Sequence, residues 1–163
     1  MTRKLLELAG IGKERLHLAW VSSAEAQRFV EVATSVIESI KMQGPLDRIA
    51  HEMSLSACEM TLDSETLRWL VGKEVKITSQ GDIYGRQWSV ESYESFLDHT
   101  LEREYQKNLI YLAIDQGCSS VKDISERIGL DLKRISYLLA DLEKTGRIEF
   151  RGMEDRKPVF AVL

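Results

Sequence analysis

Cysteine, proline and histidine are all scarce in these 163 residues, which hold two, two and three of them. Cys58 and Cys118 lie far apart, and no C-x-x-C or C-x-x-H spacing occurs. That excludes a zinc or iron–sulfur site assembled by this chain alone and leaves two reduced, structural thiols as the expectation. His17, His51 and His99 are scattered and form no ligand pattern. Apolar runs are short. None approaches the roughly 18–20 residues that span a bilayer. The apolar part of MTRKLLELAG is too small for a signal peptide, so a cytoplasmic protein without membrane attachment is expected. No G-x-G-x-x-G, P-loop or G-x-S-x-G is present, which removes motif support for nucleotide binding and serine hydrolysis. Asp98 and His99 are adjacent, and neighbours on a helix do not face each other, so no catalytic residue is assigned.

Strong positive charge is also missing. The chain carries 22 Lys and Arg against 26 Asp and Glu, a net charge of −4. Residues 1–45 and residues 103–163 are each close to balance, while residues 46–102 carry the acidic excess. No segment has the basic footprint of a protein that lives on phosphate backbones. Apolar residues make up 44% and charged residues 29%, which fits a globular chain with one or two modest cores.

The composition builds an α+β fold, mostly helical, in three segments. In residues 1–45, Arg3 to Ala9 reads as the end of a helix, stopped by Gly10. LHLAWV then reads as a strand, with Leu16, Leu18 and Trp20 on one side and His17, Ala19 and Val21 on the other. Both faces are largely apolar, as in a parallel-sheet strand covered by helices on each side. Ser22 and Glu25 match a capping box. The helix that follows places Ala26, Phe29, Val30, Ala33, Val36, Ile37 and Ile40 on one stripe and ends at Gly44-Pro45. One strand is not a sheet, so the remaining strands are expected from a partner. The docking residues are Leu16, Leu18, Trp20, Phe29, Val30 and Ile37.

Residues 46–88 read as a connecting region, with helical spacing up to about Leu70 and then a hairpin in EVKITSQGDIYGRQW, turning at Gln80-Gly81-Asp82. Residues 89–163 read as a winged helix–turn–helix. A helix capped by Ser89 carries a Trp88–Tyr93 staple and ends at Gly117. A short helix with Val121, Ile124 and Ile128 inward closes at Gly129. A third helix, capped by Asp131, turns Leu132, Ile135, Leu138, Leu139 and Leu142 to the core, and RIEFRGMEDRKPVFAVL forms the wing. In such a fold the third helix enters the major groove. Lys133, Arg134 and Tyr137 on the helix, with Arg151, Arg156 and Lys157 on the wing, are therefore the candidate DNA contacts. Asp141, Glu154 and Asp155 share their surface, and fold alone does not carry function, so DNA binding is the weaker reading.

The stretches LAGIGKERL, LHLAWVSSAEAQRF and IKMQGPL, in that order, resemble the C-terminal part of the delta (iron–sulfur) subunit of methyl-viologen-reducing hydrogenase. That family has a loop of the LGIEPERL kind, a strand of the LEWVSA kind and a helix ending in Gly-Pro. The resemblance covers roughly residues 3–46. GDIYGRQW and residues 103–163 are more loosely similar to extensions of longer members. The resemblance implies a place in an electron-transfer complex between a hydrogenase and the flavin subunit of a heterodisulfide-reductase-like assembly. The family's 2Fe–2S cluster is held by cysteines in its N-terminal half, which has no counterpart in these residues, and neither Cys58 nor Cys118 matches a ligand. The expectation is an accessory subunit that binds no cofactor by itself. Its partners would be an iron–sulfur and a flavoprotein subunit, with homodimerisation through the first segment and a winged-helix regulator as alternatives.

Overall fold

A computed structural model describes residues 1–154 and 156–163. Asp155, one of the acids assigned above to the wing, lies outside the described residues. Seven α-helices precede one two-stranded antiparallel sheet among the described residues. They are α1 (Thr2–Leu8), α2 (Ala26–Gln43), α3 (Glu52–Leu62), α4 (Glu65–Ser79), α5 (Val90–Asp115), α6 (Val121–Ile128) and α7 (Leu132–Lys144), then β1 (Ile148–Glu154) and β2 (Lys157–Val162).

Helix ends are where sequence acts most locally, and most of them follow the reading. Ser89 accepts a hydrogen bond from the Ser92 amide, Ser120 from Asp123 and Asp131 from Arg134, each satisfying a free donor of the first turn. Trp88 stacks edge-on against Tyr93 at 6.2 Å, which fixes the entry into α5. At the other end of α1, Gly10 adopts φ 71°, and the Gly10 and Ile11 amides bond back to Glu7 and Leu6. This closing motif needs a left-handed residue, which glycine supplies without strain. It also tucks Ile11 into the core.

The described residues form two hydrophobic cores. The first gathers Leu5, Ala9 and Ile11 with Ala57 and Cys58 of α3, Leu67 and Leu70 of α4, and Tyr93, Leu97, Leu101 and Tyr105 of α5. The second gathers Ile110, Ala113 and Ile114 of α5 with Ile124, Ile135, Leu138, Leu139, Leu142 and Ile148. Helix α5, 26 residues and about 39 Å long, serves both. The hairpin is antiparallel with an irregularity between Phe150 and Gly152, where Gly152 takes φ 139°. Ser120 bridges Val159, and the Phe160 amide donates to the Ser119 carbonyl, so the α5–α6 connection lies along β2 as a rudimentary third strand.

Three expectations are corrected. The strand Leu16–Val21 is not formed: no backbone hydrogen bond joins His17–Val21 to another described residue, because the chain offers no sheet beside it. The hairpin at residues 74–88 is not formed either. Val75 and Ile77 suit alternation, but Leu67, Leu70, Glu74 and Ile77 also recur at helical spacing. Helical packing of Ile77 on the first core wins, carrying α4 to Ser79. A compact loop follows, in which one Asp82 carboxylate oxygen accepts the Tyr84 and Arg86 amides, both at 2.9 Å. Finally, Leu132 is exposed at the first turn of α7 rather than in the core, since the stripe behind it begins at Ile135.

Candidate functional site

Residues 16–43 form an arm. Helix α2 buries none of its residues. Val32, Ala33 and Val36 are half-buried, whereas Phe29, Val30, Ile37 and Ile40 lie open to solvent. On the preceding segment Leu18 is 74% and Trp20 92% exposed. Among the sequence-predicted docking residues, Leu16 is half-buried and the other five are exposed. Exposed apolar residues scattered singly are ordinary, but this many on one short arm are not.

Polar contacts hold the arm's two ends together. A short 3-10 turn, Lys13–Arg15, opens it, and the Arg15 guanidinium donates to the Gln43 and Gly44 carbonyls at 3.3 and 3.2 Å. A cation there caps free carbonyls and meets the negative end of the α2 dipole. Gln43 reaches back to the Glu14 carbonyl at 3.1 Å. Only half of the capping box forms at the start of α2. The Glu25 carboxylate accepts the Ser22 amide at 2.9 Å, while the Ser22 hydroxyl meets the Ala24 amide at a long 3.4 Å.

Residues 1–44 match the family model of the methyl-viologen-reducing hydrogenase delta subunit. No solved structure matches the chain. The delta-subunit match comprises α1 and the whole arm, and it stops where the arm rejoins the helical body. It does not reach the two cysteines. A 2Fe–2S cluster needs about four ligands, typically thiolates. Cys58 is buried in the first core and burial pushes its thiol up to about 11, while Cys118 packs on the second core. These residues do not fit a cluster of the delta-subunit kind. Among the described residues, no three His, Cys, Asp or Glu side chains converge on a metal-sized site.

Three of the six candidate DNA contacts also have partners within the chain, and Lys133, Arg134 and Tyr137 line one shallow surface depression. Arg134 donates to Gln106 of α5 at 2.7 Å, Tyr137 lies under the Arg103 guanidinium at 5.7 Å, and Arg151 pairs with Glu149 at 2.6 Å. Lys133, Arg156 and Lys157 are exposed. Sequence periodicity missed the ion network on which Tyr137 rests through Arg103. Asp141 of α7 accepts from Arg103 at 3.0 Å and Lys107 at 3.3 Å, and Lys107 also meets Glu104 at 2.9 Å. Burial, the largest influence on Asp141, raises its pKa. The charges and hydrogen bonds of Lys107 and Arg103 outweigh it and hold the carboxyl below its ordinary range. Beside it, Arg147 donates to Asn108 at 2.8 Å and Asn108 to Thr61 at 2.9 Å, linking the start of β1 through α5 to α3. The signal available in the sequence was the i,i+4 pair Arg103 and Lys107 on an otherwise core-facing stretch of α5.

Proposed function

We propose that this chain is an accessory, non-catalytic subunit of a cytoplasmic electron-transfer complex of the hydrogenase or heterodisulfide-reductase type. It docks through its arm and holds no cluster of its own. One observation carries the reading: the segment that matches the delta-subunit family is the segment that leaves Leu18, Trp20, Phe29, Val30 and Ile37 uncovered. An arm kept apolar against the cost of exposure needs a protein surface to cover it. The iron–sulfur cluster and flavin of such a complex would sit in the partner subunits. The helical body, ending in three helices and a hairpin that we read as a winged helix, would act as an assembly module.

Purification of the tagged full-length protein from its native cell under anaerobic conditions, followed by mass spectrometry, tests this. Recovery of a cysteine-rich iron–sulfur polypeptide with a flavoprotein supports it. A bare homodimer carrying DNA would replace it with the regulator reading, which the exposed Lys133, Arg156 and Lys157 keep in play. Reversing charge at Lys133 and Lys157 separates the two: a regulator loses DNA binding, whereas a redox subunit assembles unchanged.

A further inference from the structure

We infer that helix α7 reads double-stranded DNA, with Arg134 recognising the edge of a guanine and the stripe Lys133, Tyr137, Ala140 and Lys144 facing the major groove. The inference goes beyond the docking reading above, uses a different surface and does not rest on it.

Helix α7 packs Ile135, Leu138, Leu139 and Leu142 into the second core. Its opposite stripe is Lys133, Tyr137, Ala140 and Lys144, at spacings of four, three and four, and all four are exposed. This stripe carries two cations and no acid. Two of the helix's acids are engaged elsewhere. Asp131 caps the Arg134 amide, and Asp141 is turned to Arg103 and Lys107 on α5. Glu143 stays exposed on the flank, beside Ser136. Asp141 is one of the acids whose presence weakens a DNA reading of the bare sequence, and the fold withdraws it.

Two side chains at this face are held from behind. The Arg134 Nε donates to Gln106 at 2.7 Å, and the buried Gln106 donates in turn to Glu102 at 3.1 Å. The terminal nitrogens of Arg134 have no acceptor among the described residues, so they form an open fork. Tyr137 is held by Arg103, whose guanidinium lies 5.7 Å from the ring centre and is tied to Asp141. The Arg103 Nε is buried with no acceptor among the described residues, so its own hydrogen bonding does not account for its place over Tyr137. Lys133, Arg134 and Tyr137 line one shallow depression. Side chains fixed in advance lose less entropy when a ligand arrives.

A guanidinium fork pairs with two acceptors side by side, and guanine O6 and N7 are such a pair in the major groove. That groove, about 12 Å wide, admits one helix. A carboxylate of an acidic protein would also satisfy the fork, and the stripe argues against it. Lys133 and Lys144 lie three turns apart, about 16 Å, with uncharged Tyr137 and Ala140 between them. Cations at both ends and none in the middle match a groove with phosphates on each rim and bases at its floor. The hairpin that follows adds exposed Arg156 and Lys157.

The test is selection of a random duplex pool by the full-length protein at low salt, about 50 mM, where phosphate contacts are strongest. A preferred site with one invariant G·C pair should emerge. Arg134→Lys keeps the charge and loses the fork. It should weaken the selected site about tenfold or more and make the G·C position indifferent, leaving unselected duplex bound as before. Gln106→Met frees the fork from behind and should blur the same position by less. A merely structural contact would lower the melting temperature and leave the preference intact. Lys133 has no hydrogen-bond or ion-pair partner among the described residues, so Lys133→Ala should fold normally. It should weaken binding to every sequence and reduce the salt slope by about one. Partner capture through the arm should be the same in all three variants. No retention of duplex at low salt overturns the inference. Retention without enrichment does so too, as does a selected site that Arg134→Lys reads unchanged. Tighter binding of polyglutamate than of duplex also overturns it and assigns the face to an acidic protein.

Discussion

Single side chains in this protein divide into those that hold the body and those that do nothing for it. Asp141 belongs to the first group. It is the shared acceptor for Arg103 and Lys107, so Asp141→Asn removes the carboxylate that both cations meet across the α5–α7 seam, leaving Lys107 with Glu104 on its own helix. We expect a loss of about 2 kcal/mol, in the range for hydrogen bonds to charged groups, read as a lower denaturant midpoint with an unchanged slope. The pH dependence has a fixed sign. The carboxyl is held below its unfolded value, so its stabilisation is complete above about pH 4 and fades as pH falls through the lower folded value. The wild type should therefore lose stability below pH 4 faster than the Asn variant, and acid unfolding curves of the two would show it. Leu18 and Trp20 belong to the second group. Because they are open to solvent, Leu18→Ser and Trp20→Ser should shift stability by no more than about 0.5 kcal/mol. Partner capture should nevertheless fall, and thermal melts run beside pull-downs would separate the two effects.

Elements defined by their own few residues were readable from sequence, and those defined by a distant neighbour were not. The starts of α5 and α7 follow from Ser89 and Asp131, since a cap is decided within three residues, and Ser120, which the sequence reading did not assign, caps α6 in the same way. Ser89→Ala should cost about 1 kcal/mol, visible as a drop in melting temperature, because the Ser92 amide loses its acceptor at the mouth of the first core. The 74–88 stretch shows the converse. Nothing in Val75 and Ile77 alone separates a period of two from one of 3.6, and the decision came from Leu67 and Leu70, which turn that face toward α5. The extended segment of the arm is the same problem unsolved within the chain. Its sequence has the alternation of a strand, yet pairing is a property of two segments and no strand forms there among the described residues. The arm's exposed apolar residues were noticeable in the sequence for that reason, as apolar residues in excess of any core. The ion network of α5 and α7 was hidden because Arg134, Tyr137 and Asp141 look like a solvated face until α5 is laid beside them.

At the scale of the whole molecule, α5 decides how stability is distributed. The first core and the second meet along one uninterrupted helix, and the Arg147–Asn108–Thr61 chain bonds them across it. Heat or denaturant should unfold the body in one transition, with fluorescence of the half-buried Trp88 and far-ultraviolet circular dichroism coinciding. A fragment of residues 1–45 should have no such transition. Its α1 would lack α3, α4 and α5, which bury Leu5 and Ala9. The same dependence has a consequence in time. During synthesis α1 leaves the ribosome before the helix it packs against, and roughly 100 residues separate Leu5 from Tyr105. At ordinary elongation rates that gap is about 5–20 s. For that interval the nascent chain presents α1 and the arm together as uncovered apolar surface, so a partner or chaperone that meets it on the ribosome meets the arm before the body exists.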